Sequence, residues 1–331
     1  MSFTHYDRRS IRLARSKLFL PGSRRDFIEK AAKGDADCIC MDLEDAVAPS
    51  DKLEARKNII EALNEVDFGD KSVGIRINGL NTHYAYRDVI DIMEQGGERL
   101  DTIMIPKVGV AADLYAIDML ISQCEWAVGR HKRIGLEVVI ESALGIENIN
   151  ELCRASARLE SVHFGAADYA ASANMRTTNI GGANADYTVM TDPDESGNRY
   201  LHWGDMWHYP IMRMVAAARA HGITPIDGPF GDYSDPDGLR NQAMRTAVLG
   251  CEGKWAIHPK QVSICNEIFT PPPNEVDKAR EILVAMAEAQ SKGLGAATYR
   301  GTLIDAASIR QAEVIVRQVD LIAKRDQEKT L

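Results

Sequence analysis

Leu136-Glu137-Val138-Val139-Ile140-Glu141-Ser142 and Ser161-Val162-His163-Phe164-Gly165-Ala166-Ala167-Asp168 decide how this chain is read. Each is a short apolar run with an acid just past its end, and both runs read as buried β-strands. Solvated acids normally lie along helix faces. A carboxylate at the C-terminal mouth of a parallel strand is where α/β proteins keep their chemistry. Glu141 and Asp168 are therefore candidate halves of one site.

The same pattern recurs on both sides of these segments. Apolar runs at 17–21, 38–43, 72–77, 102–106, 136–140, 162–165, 223–226 and 254–257 each end in polar or Gly/Pro residues. Stretches of helical period lie between and after them, at 24–33, 51–66, 86–95, 111–128, 147–157, 207–221, 236–249 and 259–269. Eight βα units in series predict a TIM (β/α)8 barrel, in which right-handed crossovers leave every strand exit on one face. Residues 171–203 depart from the rhythm as a long polar loop containing Gly181-Gly182, and loops of that length are usually functional or mobile. Thr270-Pro271-Pro272-Pro273-Asn274 punctuates the chain. It divides a barrel with an N-terminal extension (1–270) from a small helical C-terminal lid (271–331), with helices expected at 276–292 and 306–323. The tail is too short for a confident core of its own and is expected to pack on the barrel or on a neighbouring subunit.

Composition narrows the function. Hydrophobic residues make up 45% and charged residues 26% of the 331 positions, as in a soluble globular enzyme. A net charge of −9 argues against a nucleic-acid surface. No run approaches the roughly 18 apolar residues of a membrane span, and residues 1–10 lack a secretory pattern, so cytoplasmic residence is expected. The six cysteines are scattered without CxxC spacing and read as reduced, mostly buried thiols. The P-loop, dinucleotide and His-Glu-x-x-His motifs are all missing.

The barrel mouth would gather Ser23, Arg24, Asp42, Glu44, Asp45, Arg76, Asn78, Lys107, Glu141, Asp168, Asp227 and His258. Glu141 and Asp168 are 168 − 141 = 27 residues apart, about one βα repeat, so adjacent strands could present both to one ion. Two carboxylates without a clustered His or Cys favour Mg²⁺ over Zn²⁺. Helix capping or pairing with a lysine explains the two acids equally well. Arg76 breaks a strand with a permanent cation, which requires an oxygen-rich ligand or a salt bridge to Asp42, Glu44 or Asp45. Arg24 opens the first helix, where an anion is favoured, and Lys30 follows on it; a solvated helix face accounts for both as well. A lone His258 before Pro259 is more often structural, and Asp305 reads as a helix N-cap.

Taken together, these residues resemble a family. Leu18-Phe19-Leu20-Pro21-Gly22-Ser23-Arg24, Met41-Asp42-Leu43-Glu44-Asp45-Ala46-Val47, Ile75-Arg76-Ile77-Asn78-Gly79, Ile105-Pro106-Lys107, Val139-Ile140-Glu141-Ser142, Phe164-Gly165-Ala166-Ala167-Asp168-Tyr169 and Lys254-Trp255-Ala256-Ile257-His258-Pro259 look like successive signatures of the citrate lyase β-subunit-like lyases (HpcH/HpaI aldolases). The resemblance runs from about residue 15 to the C-terminus and includes Asp227-Gly228-Pro229-Phe230-Gly231-Asp232 and Leu303-Ile304-Asp305-Ala306-Ala307-Ser308-Ile309-Arg310.

It implies a TIM barrel with a C-terminal lid, assembled as a homohexamer (a dimer of trimers). The implied activity is a carbon–carbon, oxo-acid lyase that reversibly cleaves (S)-malyl-CoA to acetyl-CoA and glyoxylate. β-Methylmalyl-CoA giving propionyl-CoA and glyoxylate is the expected second reaction. The resemblance further implies Glu141 and Asp168 as Mg²⁺ ligands, with Mn²⁺ as a possible substitute, and Arg76 at the reacting thioester or enolate oxygen. Phe19, Arg24 and Lys30 would hold coenzyme A, Ala167, Asp168, Ile257 and His258 would contact substrate, and Asp305 would be a lid carboxylate that reaches a neighbour's site. A malyl-CoA thioesterase, a citryl-CoA-type lyase on the same scaffold, and an acyl-CoA-binding protein without lyase activity are the competing readings.

Overall fold

A computed structural model describes residues 12–328, so the N-terminal stretch 1–10 lies outside the described residues. In chain order the strands of the first part are β1 (Ser16–Pro21), β2 (Cys38–Asp42), β3 (Ser72–Arg76), β4 (Thr102–Ile105), β5 (Gly135–Ile140), β6 (Leu159–Phe164), a hairpin of β7 (Thr188–Met190) and β8 (Leu201–Trp203), then β9 (Thr224–Ile226) and β10 (Lys254–Ala256). Apart from the hairpin, they form one parallel sheet in the order β10-β1-β2-β3-β4-β5-β6-β9. Asp227 N–H donates to Gly253 O at 2.8 Å and Trp255 N–H to Asp227 O at 3.0 Å, which brings the last two strands alongside each other and completes the ring. The expected TIM barrel is present.

Strands covered by helices on one face and by the barrel interior on the other read as near-continuous apolar runs. β2, β4 and β5 are buried at every position. Cys40, Met104, Val139, Ile226 and Trp255, drawn from five strands, pack into one cluster with Phe19 against it, and this is the barrel's interior layer. Because side chains alternate along a strand, Lys17 and Glu137 share the inward face below that layer, while Pro21 and Glu141 share it above. Register carries the same logic across strands: Pro21 pairs with Asp42, and Asp42 with Arg76.

Two local expectations change. The helix expected at 147–157 is instead a pair of short helices, Ala143–Glu147 and Ile149–Leu152. Ser142 starts the first by accepting Gly145 N–H at 2.9 Å, and Asn148, between them, turns its amide to Gly109 O at 2.9 Å. The 171–203 stretch is not a bare loop: a helix, Ala166–Ser172, follows β6 directly, and the β7/β8 hairpin occupies its far end.

The chain divides into compact units between Asn266 and Glu267. The C-terminal unit contains helices Pro273–Ser291 and Ala306–Glu328, which pack together, and an antiparallel hairpin of β11 (Ala297–Tyr299) and β12 (Thr302–Ile304). Among the described residues no helix is long and apolar enough to cross a membrane.

Candidate active site

The barrel mouth is a network of charges whose acids are not all neutralised. Arg76, at the end of β3, meets its cross-strand partner Asp42 as a fork, with Nε to Oδ1 at 2.7 Å and Nη2 to Oδ2 at 2.6 Å, and its Nη1 lies 3.0 Å from Glu44 Oε2. The salt bridge left open by the sequence therefore exists. Burial alone would lower the guanidinium's pKa, but the charge of Asp42, its hydrogen bonds and Glu44 raise it, so the cation is permanent. Its Cζ stands 5.5 Å from the centroid of Phe19 and 5.7 Å from that of Trp255.

Lys107 follows β4 in the left-handed region, with φ 53°, a conformation that costs a side-chain-bearing residue about 1–3 kcal/mol. That backbone aims its N–H at Glu141 Oε1, 2.7 Å away, while Nζ reaches Glu44 Oε1 at 2.6 Å and comes within 3.9 Å of Asp168 Oδ1. Burial lowers the Lys107 pKa and Glu44 raises it, with a net rise. Glu141 fares differently. Burial first, then the charges of Glu44 and Asp168, push its carboxyl up to about 8, against the Lys107 N–H and the Arg76 charge. Gly165 makes the room: a Cβ there would stand 2.4 Å from Glu141 Oε2. Asp168 enters from the first turn of the Ala166–Ser172 helix.

A cleft of about 910 Å³ opens over these groups, within the usual size of a small-molecule site. Phe19, Lys30, Arg76, Glu141, Ala167, Asp168, Ile257 and His258 all line it, so eight of the ten residues to which the family resemblance gives a role come together. Arg24 is not on that lining. It is paired with Asp26 at 2.9 Å and lies 3.9 Å over the ring of Phe27, which does line the cleft and also carries Lys30 at 5.7 Å. Asp305 belongs to the C-terminal unit, where it is exposed and caps the last helix by accepting Ala307 N–H at 2.8 Å. His258 stacks on Tyr233 at 4.8 Å.

Trp255 and Phe27 are among the lining residues that sequence reasoning missed. Trp255 stacks beneath Phe19 with centroids 3.9 Å apart. Phe27 stands three residues from both Arg24 and Lys30, the helical spacing that would have revealed it.

The donor set tests the metal expectation. Among the described residues, no three His, Cys, Asp or Glu side chains gather into a group able to hold a metal. Glu141 and Asp168 thus offer two carboxylates in a site short of positive charge. A hard divalent cation that takes its other oxygens from substrate and water fits that set.

Residues 15–259 match the family model described as HpcH/HpaI aldolase/citrate lyase. The chain belongs to this family. Among curated HpcH/HpaI relatives, the L-malyl-CoA/β-methylmalyl-CoA lyase of Rhodobacter capsulatus is 54% identical over 97% of this chain and 99% of its own length. That of Cereibacter sphaeroides is 53% identical over 98% and 100%. A citrate lyase structure from Burkholderia xenovorans LB400 superposes with a TM-score of 0.77 at 19% identity, over 95% of this chain and 93% of that one. The protein CitE from Mycobacterium tuberculosis, in complex with magnesium, acetoacetate and coenzyme A, superposes with a TM-score of 0.69 at 23% identity, over 92% and 98%. At those identities the two structures support the fold.

Proposed function

We propose that this protein is a Mg²⁺-dependent carbon–carbon lyase that reversibly cleaves (S)-malyl-CoA to acetyl-CoA and glyoxylate, and β-methylmalyl-CoA to propionyl-CoA and glyoxylate. The observation that carries the reading is the mouth itself. Two carboxylates, Glu141 and Asp168, and a buried, permanently charged arginine face one cleft of about 910 Å³, in a chain 53–54% identical to lyases of that name over nearly its whole length.

Glu141 and Asp168 would hold the ion, which supplies Lewis acidity and a template for an α-oxo acid. Mn²⁺ is expected to substitute. Everything else falls to the protein's own groups. Arg76 has five N–H donors, commits two hydrogen bonds to Asp42 and pairs with Glu44 through Nη1, leaving further N–H donors for the thioester oxygen as it becomes an enolate oxygen in the Claisen direction. Phe19, Phe27 and Lys30 form the wall for coenzyme A, with Arg24 behind Phe27. Ala167, Ile257 and His258 border the acyl end.

The two barrel acids engaged by an ion are unavailable as bases, so Asp305 is the proton-transfer group we assign, delivered by a lid of a neighbouring subunit in a homohexamer. All six cysteines are buried, which suits the reducing cytoplasm where we place the enzyme.

Product analysis tests the reading. With Mg²⁺ and (S)-malyl-CoA, glyoxylate and acetyl-CoA are expected in equal amounts. Malate with free coenzyme A would identify a thioesterase instead.

A further inference from the structure

A second polar cluster lies inside the barrel, below the interior layer, and the mechanism above makes no use of it. Lys17 on β1, Glu137 on β5 and Ser161 and His163 on β6 are all buried, as is Trp255 on β10 above them. Their hydrogen bonds converge on Glu137. Trp255 Nε1–H donates to His163 Nδ1 at 2.8 Å, so the imidazole proton sits on Nε2, which donates to Ser161 Oγ at 2.8 Å. The Ser161 hydroxyl donates to Glu137 Oε1 at 3.1 Å, and Lys17 pairs with Glu137 Oε2. A protonated imidazole would set two N–H groups against each other at Trp255. Burial lowers the His163 pKa and keeps the ring neutral, against the pull of Glu137.

The upper end of this chain of bonds is a wall of the cleft. Trp255 stacks on Phe19 with centroids 3.9 Å apart and an interplanar angle of 30°. The Arg76 guanidinium stands between 5.5 and 5.7 Å from both rings. A buried indole N–H needs a partner, and His163 is the acceptor that fixes the rotation of this ring.

We infer that His163 is a positioning residue for the acyl-thioester pocket: anchored through Ser161 and Glu137 to Lys17, it fixes the plane of Trp255, and Trp255 sets the seat of Phe19 and Arg76. The inference rests on the lyase reading for its kinetic consequence, and on the geometry alone for its structural one.

The test uses the full-length enzyme. His163→Leu removes the acceptor, His163→Asn restores an acceptor near Nδ1, and Trp255→Phe keeps a ring without the donor. His163→Leu is expected to lower kcat/KM for malyl-CoA about tenfold, the size of one buried hydrogen bond, without changing the Mg²⁺ concentration for half-maximal activity. His163→Asn should recover most of the loss. In a Trp255→Phe background, His163→Leu should cost nothing further, because no N–H remains to be held.

Additive losses in the double variant, or wild-type kinetics in His163→Leu, would overturn the inference. Should His163→Leu fail to fold, Trp255→Phe and His163→Asn decide: a marked loss in the first and near-wild-type kinetics in the second are expected, and wild-type kinetics in the first overturns it. The emission of Trp255, isolated by subtracting the Trp255→Phe spectrum from that of the four-tryptophan wild type, is read on resting protein. Its shift in His163→Leu supports the inference and an unchanged spectrum refutes it, even if malyl-CoA proves not to be the substrate and the functional reading falls.

Discussion

Glu137, near the start of β5, and Glu141, just past its end, stand four residues apart on the same inward face, both buried, and their surroundings treat them in opposite ways. At the barrel floor, burial raises the Glu137 pKa, but the charge of Lys17 foremost overcomes it and holds the carboxylate well below the usual range. At the mouth, burial is joined by Glu44 and Asp168, and Glu141 is pushed up to about 8. The floor is a closed circuit in which each charge has its partner. The mouth carries an excess of negative charge that the folded chain does not itself resolve. Charge left uncompensated in a cleft marks a place kept for something that binds, whereas charge compensated in a core marks a structural device.

Substitution should separate the two most sharply at the acids. Glu141→Gln and Asp168→Asn are each expected to lower lyase turnover about a thousandfold, equivalent to several kcal/mol of lost electrophilic assistance. The denaturation midpoint should stay put or rise, since like-charged neighbours are relieved. Glu137→Ala should do the reverse in its primary effect. It strands the Lys17 ammonium, which should cost about 3–5 kcal/mol of stability in urea titration. Wild-type turnover in Asp168→Asn would remove it from the metal site, and an undisturbed midpoint in Glu137→Ala would show the floor to be less closed than its bonds suggest.

With Glu141 and Asp168 given to an ion, as proposed, the base must come from another carboxylate, and Asp305→Asn tests which. Turnover is expected to fall about a hundredfold, as for loss of a general acid–base group, with little change in coenzyme A affinity. Mixed oligomers of Asp305→Asn and Arg76→Ala chains should regain activity if the acid crosses between subunits. No recovery would return Asp305 to the helix-capping role in which the structure shows it. A smaller effect is expected at Gly165, where a Cβ would press on Glu141 and lie 3.0 Å from Val139 Cγ1. Gly165→Ala should raise the Mg²⁺ requirement and cost about 1–3 kcal/mol of overpacking strain.

The ring of strands was legible because parallel strands buried on both faces leave unbroken apolar runs, and the mouth was legible because those runs end in acids. What escaped has physical reasons. Lys17 and Glu137 lie within runs, and nothing local shows that charges far apart in sequence, on β1 and β5, meet inside the barrel. The left-handed backbone of Lys107 serves Glu141, so no local propensity announces it. Arg24 looked available for an anion, but Asp26, two residues on, is its partner. Trp255 stood inside a quoted signature, yet its value comes from a stack with β1 and a hydrogen bond to β6. The two short helices after β5 follow from a cap at Ser142 and an amide contact at Asn148, neither of which a helical period reveals.

The smallest expected effect is the floor's own contribution to the pH dependence of stability, which differs in sign from that of the raised carboxyl of Glu141 at the mouth. His163 has its pKa lowered from 6.5, so as pH falls through that value the unfolded chain takes up a proton that the folded chain refuses, and stability is lost. Glu137 has its pKa lowered from 4.5, so its contribution is present above that value and is lost as pH falls below it. Two acid limbs should therefore appear in thermal unfolding, the first beginning near the ordinary histidine range and the second near the ordinary glutamate range. His163→Asn should flatten the first limb and leave the second. If both limbs persist unchanged in that variant, the neutral imidazole is not what closes the floor, and the contrast with the mouth must rest on Lys17 and Glu137 alone.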